Sequence, residues 1–498
     1  MGEAGDVACT ASAWAGLGYR RREPERTLLH ATVRAHLKTF LAEMEQRGDG
    51  AGLPGFVISE FERYLACGIL AHGFARVRCS SCGNEMLVAF SCKGRGFCPS
   101  CTTRRMQGTA THLLDRVLPH VPMRQWVLSL PRWARFLLAR DPQLITRALD
   151  IALRAIFSLQ RRRARRTGAR AARTGAVTFV QRFGGALNLN VHFHCVIPDG
   201  VFVRDGEATS FLALPGPSDA EVQEVLRRMV RRLRRLLRPR LEVAEADARA
   251  PDPLAAAQAD SLSLLRGNRP YAIRIRRQAA YLEGFSLHAG VHLHANDREG
   301  LAHLCGYGAR PPLAQGRLSQ LPDGRLAYRL KRPLATGPEV LILEPCELLR
   351  RLAALVPPPR SHLVRYHGVF GPASEWRSQI VPRPPESRTA PCAPASTAQP
   401  QSATADRHKI SRIPWAELLL RVFREDVLLC PCGGRRVVLA FITEKKVVKE
   451  ILEHLGLPST GPPVAPTRIT AASEETPWQD DVPAAANAAL TGSPMPIS

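Results

Sequence analysis

Two tight cysteine pairs constrain this chain more than any other feature. Cys79-x2-Cys82 and Cys98-x2-Cys101 stand fifteen residues apart, and two such knuckles can turn four thiolates toward the corners of one tetrahedron around a zinc ion. A segment tied in this way has its turns fixed before any hydrophobic core is considered. Reduced cysteines without metal are the alternative, but two such pairs at this distance seldom arise by chance. Cys92 is a fifth cysteine that could replace one of the four; the paired spacing argues against it. Cys430-Pro431-Cys432-Gly433-Gly434 resembles half of another knuckle, yet it is Cys-x-Cys with no partner pair after it, and no metal is expected there. In a long chain without a secretion signal, thirteen cysteines in clusters read as metal ligands rather than disulfides.

Charge narrows the partners. Lysine and arginine total 69 against 44 acidic residues, a formal charge of +25, and a field of that sign attracts polyanions, above all nucleic acid. An arginine-rich proteome could give the same balance without function. Lys93, Arg95, Arg104 and Arg105 surround the knuckles, and Glu221 to Arg238 places apolar Val222, Val225, Met229, Leu233 and Leu236 at helical spacing with arginines between them. Arg231, Arg234 and Arg235 on its outer face are candidate phosphate contacts; a solvated face that only keeps the helix soluble is the other reading. No stretch nears the roughly 18 apolar residues of a membrane span, and the N-terminus lacks the apolar core of a signal peptide. The expected setting is therefore the cytoplasm, with no membrane partner.

Patterning along the chain gives an outline. Helices are expected over about 27–46 and 56–70, ahead of the cysteine segment. From Met106 to Arg166, helical runs alternate with breaks at Pro119, Pro122 and Pro131 and close on Arg161 to Arg166. Ala176 to Phe183 and Leu187 to Val196 are β-rich around Gly184-Gly185, which predicts an antiparallel hairpin. The domain reading is a flexible N-terminus over 1–26, a zinc-binding DNA-binding domain over 27–118, a catalytic domain over 119–383, a disordered linker over 384–414, a small C-terminal module over 415–457 and a disordered tail over 458–498.

His192 and His194 lie on the second strand of that hairpin. Residues at i and i+2 of a strand share a face, so both can hold one divalent ion while Phe193 packs on the other side. Gln181 on the preceding strand can lie beside them as a third ligand. Alone, a His-x-His pair on a strand is more often an ordinary exposed pair. The context is wider: Gln181-Arg182-Phe183-Gly184, Leu187-Asn188-Leu189-Asn190 and His192-Phe193-His194 together resemble the HUH transposases of insertion-sequence family 91 and their common-region relatives. The resemblance continues in the zinc segment Ser91 to Cys101, in Arg310-Pro311-Pro312-Leu313, in Ala327 to Lys331 and in Leu363 to Gly368, over roughly residues 27–380.

The resemblance implies an α+β fold, with a helical zinc-ribbon-like module before an HUH nuclease domain built on a central antiparallel sheet. It implies structural Zn2+ and a catalytic Mg2+ or Mn2+ ion on His192, His194 and Gln181. The substrate it implies is single-stranded DNA at transposon ends and at the target site, nicked and joined through a 5′-phosphotyrosine. The family places its tyrosine just before the Arg-Pro-Pro segment, which is Tyr307 here, on a helix that Asp297 can cap. Some relatives carry a second tyrosine four residues earlier; this chain has His303 there and reads as a single-tyrosine member. His303 could shuttle the phenol proton or be a surface histidine. Tyr366 is a reserve nucleophile, Tyr328 reads as structural, and Val291-His292-Leu293-His294 reads as a strand pair without the family's flanks. A replication initiator or relaxase, and a zinc-ribbon DNA-binding protein that has lost cutting, are the rival readings.

Overall fold

Local signals start and stop the first helices. The Thr27 hydroxyl accepts from the His30 N–H to open α1 (Leu28–Arg47), which ends at Gly48, and Pro54 precedes α2 (Gly55–Ala66). In the computed structural model, residues 21–240, 252–263, 277–331, 339–382 and 428–468 are described. The linker expected over 384–414 lies outside the described residues, as do residues 1–20, 415–427 and 469–498. Among the described residues, no helix is long and apolar enough to cross a membrane.

A hairpin of β1 (Phe74–Cys79) and β2 (Glu85–Ala89) carries the first knuckle. The second opens α3 (Pro99–Arg116), where Pro99 occupies the first turn and its missing N–H is no loss. The chain then forms β3 (Met123–Ser129), α4 (Arg132–Arg140), α5 (Pro142–Arg166), β4 (Ala172–Arg173), β5 (Gly175–Phe183), β6 (Leu189–Pro198), β7 (Gly200–Asp205), β8 (Ala208–Ala213) and α6 (Asp219–Leu237). It continues through α7 (Pro253–Ser263), β9 (Ala279–Leu282), β10 (Phe285–Leu293), α8 (Arg298–Gly308), β11 (Leu318–Gln320), β12 (Leu326–Arg329), β13 (Val340–Leu343) and α9 (Pro345–Leu355). Last come β14 (Val364–Gly368), α10 (Arg377–Ile380), β15 (Arg436–Ile442) and α11 (Lys445–His454).

The fold is α+β. Six strands in the order β14-β5-β6-β3-β10-β9 make a central antiparallel sheet. The hairpin falls where the sequence puts it, with Gln181 opposite His192 and Gly184 N–H donating to the Asn188 carbonyl at 2.8 Å. Period-2 alternation sorts β6 between two cores. Val191, Phe193, Cys195 and Ile197 pack in the core formed with α4, α5 and α6, while His192, His194 and Val196 face the opposite side, where α3 and α8 lie. Helix α6 is opened by a Ser218/Glu221 capping box and buries Val222, Val225, Met229 and Leu233; Leu236 is only half-buried, and Leu237 takes the inner position.

The sequence reading misses β3, the strand between β6 and β10. Both sheet faces are covered there, so Met123–Ser129 shows little alternation to read. It also carries a charge into the interior: Arg124 chelates both carboxylate oxygens of Asp199, the closest approach being 2.6 Å, and donates to the Ala289 carbonyl at 2.7 Å. A buried guanidinium is tolerable only because strands β6 and β10 bring those acceptors to it.

Candidate active site and metal centre

Three side chains on one face of the sheet leave acceptors without partners. His192 Nδ1 donates to the Asn190 carbonyl at 2.8 Å, which puts its proton there and leaves Nε2 as a lone pair. His194 Nε2 is buried with no hydrogen-bond partner, and so is Gln181 Oε1. The imidazoles sit 4.9 Å apart between ring centroids. Burial pushes His192 down to about 4, and burial together with the charges of His192 and Arg310 pushes His194 down to about 3. Both rings are therefore neutral at neutral pH, the form a metal ion needs. The buried, unpartnered His194 Nε2 and Gln181 Oε1, together with the His192 Nε2 lone pair on the same face, suit a divalent ion that tolerates mixed nitrogen and oxygen ligands.

One contact missed by the sequence reading holds this group. Gln125 on β3 places its amide nitrogen 3.1 Å from His194 Nδ1. An amide turned about its last bond offers oxygen at the same point, so when His194 ligates through Nε2 its Nδ1–H donates to Gln125. Nothing in the sequence flags this residue, because its neighbour relation to His194 exists only once β3 pairs with β6. Asn190 Oδ1, two residues before His192 on the same face, is also buried and unpartnered.

Tyr307 lies over the histidines. Asp297 caps α8 by accepting from Gly300 N–H at 2.8 Å, as expected, and the helix ends against β5 with the Tyr307 ring 5.6 Å from the His194 ring. Gln181 ties the two parts together: its Nε2 donates to the carbonyls of Tyr307 at 2.7 Å and Gly308 at 3.0 Å, which aims Oε1 away from the helix. Tyr307 remains 42% exposed, so a strand can reach it. The Arg310 guanidinium stacks 4.4 Å from its ring centroid and Lys331 Nζ lies at 5.9 Å. Arg95, Arg105 and Arg310 line a cleft that Gln181 and Gly308 also border.

Other candidates separate from this centre. His303 is exposed on the outer side of α8, 3.8 Å from Glu299, which is its surface reading. Tyr366 is half-buried on β14 opposite Val177, with its hydroxyl pushed up by burial. Tyr328 is buried and its hydroxyl accepts from Ala314 N–H at 3.4 Å. His292 faces Arg124 on β3 and sits 3.4 Å from Asp199; with His294 it belongs to the far end of β10.

The cysteine assignment requires correction. Cys79, Cys82, Cys98 and Cys101 do not converge on one point. Cys98 and Cys101 instead join Cys67 and Cys92, with Sγ separations of 3.7 Å (Cys67–Cys101), 3.7 Å (Cys67–Cys98) and 3.4 Å (Cys92–Cys101). Four thiolates about 2.3 Å from a tetrahedral zinc stand about 3.8 Å apart, so the cluster fits structural zinc. Cys92, set aside on spacing, is a member because Lys93, at φ 53°, and Gly94 turn the chain back at that point; Cys67 closes α2 and carries no knuckle signal. The turn is fixed by Glu60, which accepts Gly96 N–H at 2.6 Å, and by Phe97 packed against Phe61 with ring centroids 4.7 Å apart. Cys79 and Cys82 lie on a separate hairpin, beside Cys430 and Cys432.

The basic residues divide similarly. Arg95 donates to the Ser361 and Pro358 carbonyls, Arg104 to the Ser91 hydroxyl, and Arg105 to the Gly94 and Lys93 carbonyls. Arg104 and Arg105 thus hold the knuckle together, and Arg95 ties it to the segment before β14. Lys93, Arg231, Arg234 and Arg235 are exposed, with Arg234 paired to Glu283.

Two protein-family models match the chain. One, described as "Transposase zinc-binding domain", matches residues 33–130; the other, described as "Putative transposase", matches residues 175–377. The first contains the cluster of Cys67, Cys92, Cys98 and Cys101, the second contains Gln181, His192, His194 and Tyr307, and Cys430 and Cys432 lie outside both. No curated protein and no solved structure matches the chain.

Proposed function

We propose that this chain, whose zinc-binding and transposase regions match family models of the kind expected for insertion-sequence family 91 transposases, nicks and rejoins single-stranded DNA at element ends by the HUH rolling-circle route. The observation that carries this reading is the pair of buried, unpartnered acceptors, His194 Nε2 and Gln181 Oε1, on one sheet face beneath a half-exposed tyrosine. A buried acceptor left unsatisfied costs on the order of 1–3 kcal/mol, a cost that a bound cation relieves.

In this reading the Tyr307 phenol oxygen attacks the scissile phosphorus. The bond from phosphorus to the 3′ oxygen breaks, the downstream portion of the strand remains on the tyrosine through its 5′-phosphate as a phosphodiester, and the proton lost by the phenol is matched by one taken up at the new 3′-hydroxyl of the upstream portion. Because the bond energy is kept, a later 3′-hydroxyl reverses the step and joins strands. When bound to His192, His194 and Gln181, a Mg2+ or Mn2+ ion supplies Lewis-acid polarisation of the phosphate. The chain's own residues do the rest. Gln181 fixes the end of the tyrosine helix through two carbonyls, and Arg310 offers positive charge where phosphate charge grows. Exposed Lys93, Arg231 and Arg235 hold the flanking strand by its phosphates.

The test is an adduct assay. Full-length protein incubated with Mn2+ and single-stranded DNA from the element ends should form a complex that survives denaturation, with Tyr307 carrying the 5′-phosphate by mass spectrometry. Tyr307→Phe and His192→Ala should reduce the adduct to background, as should EDTA. An adduct undiminished in Tyr307→Phe overturns the assignment of the nucleophile.

A further inference from the structure

Cys79 and Cys82, displaced from the cluster that their spacing suggested, meet a knuckle from the other end of the chain. Strand β15 pairs antiparallel with β1 in the order β15-β1-β2, and the pairing puts Arg436 opposite Cys79. Two loops therefore face each other at one end of this small sheet. One is the turn after β1, where Gly83 N–H donates to the Cys79 carbonyl and Cys79 N–H to the Asn84 carbonyl. The other precedes β15: Gly433, at φ 82°, turns the chain, and Cys430 N–H donates to the Gly434 carbonyl at 2.9 Å. Sγ of Cys79 lies 3.5 Å from that of Cys432, and Sγ of Cys82 lies 3.7 Å from that of Cys430. All four sulfurs stand within 4.8 Å of one another.

The loops are shaped around the sulfurs. A Cβ at Gly434 would sit 2.4 Å from the Ser81 hydroxyl and 2.9 Å from Cys79 Sγ, so only glycine lets the loops close this far. The spacing matches the tetrahedral edge of about 3.8 Å expected for four thiolates on one zinc ion. Sulfurs this close leave no room for the bridged irons of a cluster.

We infer that Cys79, Cys82, Cys430 and Cys432 bind a second zinc ion that staples the C-terminal β15–α11 unit to the N-terminal zinc module. The staple joins positions 348 and 353 residues apart. It reinforces the β1–β15 ladder where the apolar core is small: Phe74, Val448 and Leu452 are the fully buried residues of the shared core among the described residues, while Val437, Val438, Leu439 and Phe441 of β15 are exposed. Cys82 and Cys432 are exposed, whereas Cys67, Cys98 and Cys101 are buried, so the second ion exchanges first. The inference is independent of the chemistry proposed for Tyr307.

The test uses the full-length protein. Elemental analysis should find two zinc ions per chain, and a chelating dye should remove them in two phases. Cys430→Ser/Cys432→Ser should hold one zinc and lack the fast phase. Independently of that variant's folding, Cys82 and Cys432 of the wild-type chain should resist iodoacetamide when zinc is bound and react at least tenfold faster once the first ion is removed. One zinc in the wild-type chain, two in the double variant, or alkylation equally fast before and after chelation would each overturn the inference.

Discussion

His194 divides its two ring nitrogens between different tasks. Nε2 is buried and unpartnered beside the Gln181 amide oxygen, while Nδ1 faces Gln125. Partners on the second nitrogen of a metal-bound histidine fix its tautomer and ring angle, and losing them typically costs about 10–100-fold in metal affinity. Gln125→Leu is nearly isosteric but leaves Nδ1–H without an acceptor, so Mn2+ affinity measured by calorimetry should fall within that range, and saturating Mn2+ should restore adduct formation. Gln125→Glu, which still accepts from Nδ1–H, should bind Mn2+ at least as tightly as wild type. Equal affinity in Gln125→Leu would remove Gln125 from the site. At this scale the sequence is readable wherever a residue's position follows from its own strand: the i, i+2 geometry of His192 and His194 holds in any fold. Gln125 and Arg310 act across elements. Arg310 at least stands in a segment that the resemblance picks out; Gln125 stands in a stretch read as helix and break.

Helix α8 depends on a close approach at its last residue. A Cβ at Gly308 would lie 2.6 Å from the Phe179 ring, and Phe179 is fully buried with no space to yield. Gly308→Ala must therefore lift the helix end off β5, and with it the Gln181 bonds to the Tyr307 and Gly308 carbonyls. Overpacking of this kind costs about 1–3 kcal/mol, and a misplacement of about 1 Å at a reacting group can cost about 100-fold in rate. The adduct rate should fall to that extent with zinc content unchanged; a wild-type rate would mean that the tyrosine is positioned by something other than this contact. The helix itself is legible because its cap at Asp297 and its stop before Pro311-Pro312 are local signals. So is the β5–β6 hairpin. The sheet between them is less so, since β3 is defined by partners on either side rather than by its own pattern. The knuckles fail for the same reason. Spacing identifies Cys-x-x-Cys turns but not which turns meet, and the pairing is settled by β15 reaching β1 from the far end of the chain.

For the whole molecule, two hydrophobic cores draw residues from both sides of position 118. Helices α1 and α2 share one core with Leu313, Leu326, Leu343 and the α9 residues Leu348 to Ala354. Helix α3 starts at the buried cysteine cluster and packs Ala110 and Leu113 against Leu301 and Cys305 of the tyrosine helix. Arg298 reinforces that junction by donating to the Leu114 and Leu118 carbonyls at 2.6 and 3.1 Å, at the C-terminal end of α3 where carbonyls lack helical partners. Removing zinc from Cys67, Cys92, Cys98 and Cys101 should thus loosen more than the module that binds it. A structural zinc contributes on the order of 10 kcal/mol, and each kcal/mol shifts the midpoint by about 2–4 °C in a domain of this size class. Even a fraction of that energy should lower the unfolding midpoint by more than about 10 °C. The reporters are Trp126 on β3 and Trp376 near α10, both buried in the cores around the central sheet and outside the core that surrounds the cysteines. Their fluorescence transition in Cys67→Ser/Cys92→Ser should move down together with loss of the zinc-module helices by circular dichroism. If the tryptophan transition holds its midpoint while the buried zinc is lost, the zinc module and the catalytic sheet fold separately and the shared cores do not couple them.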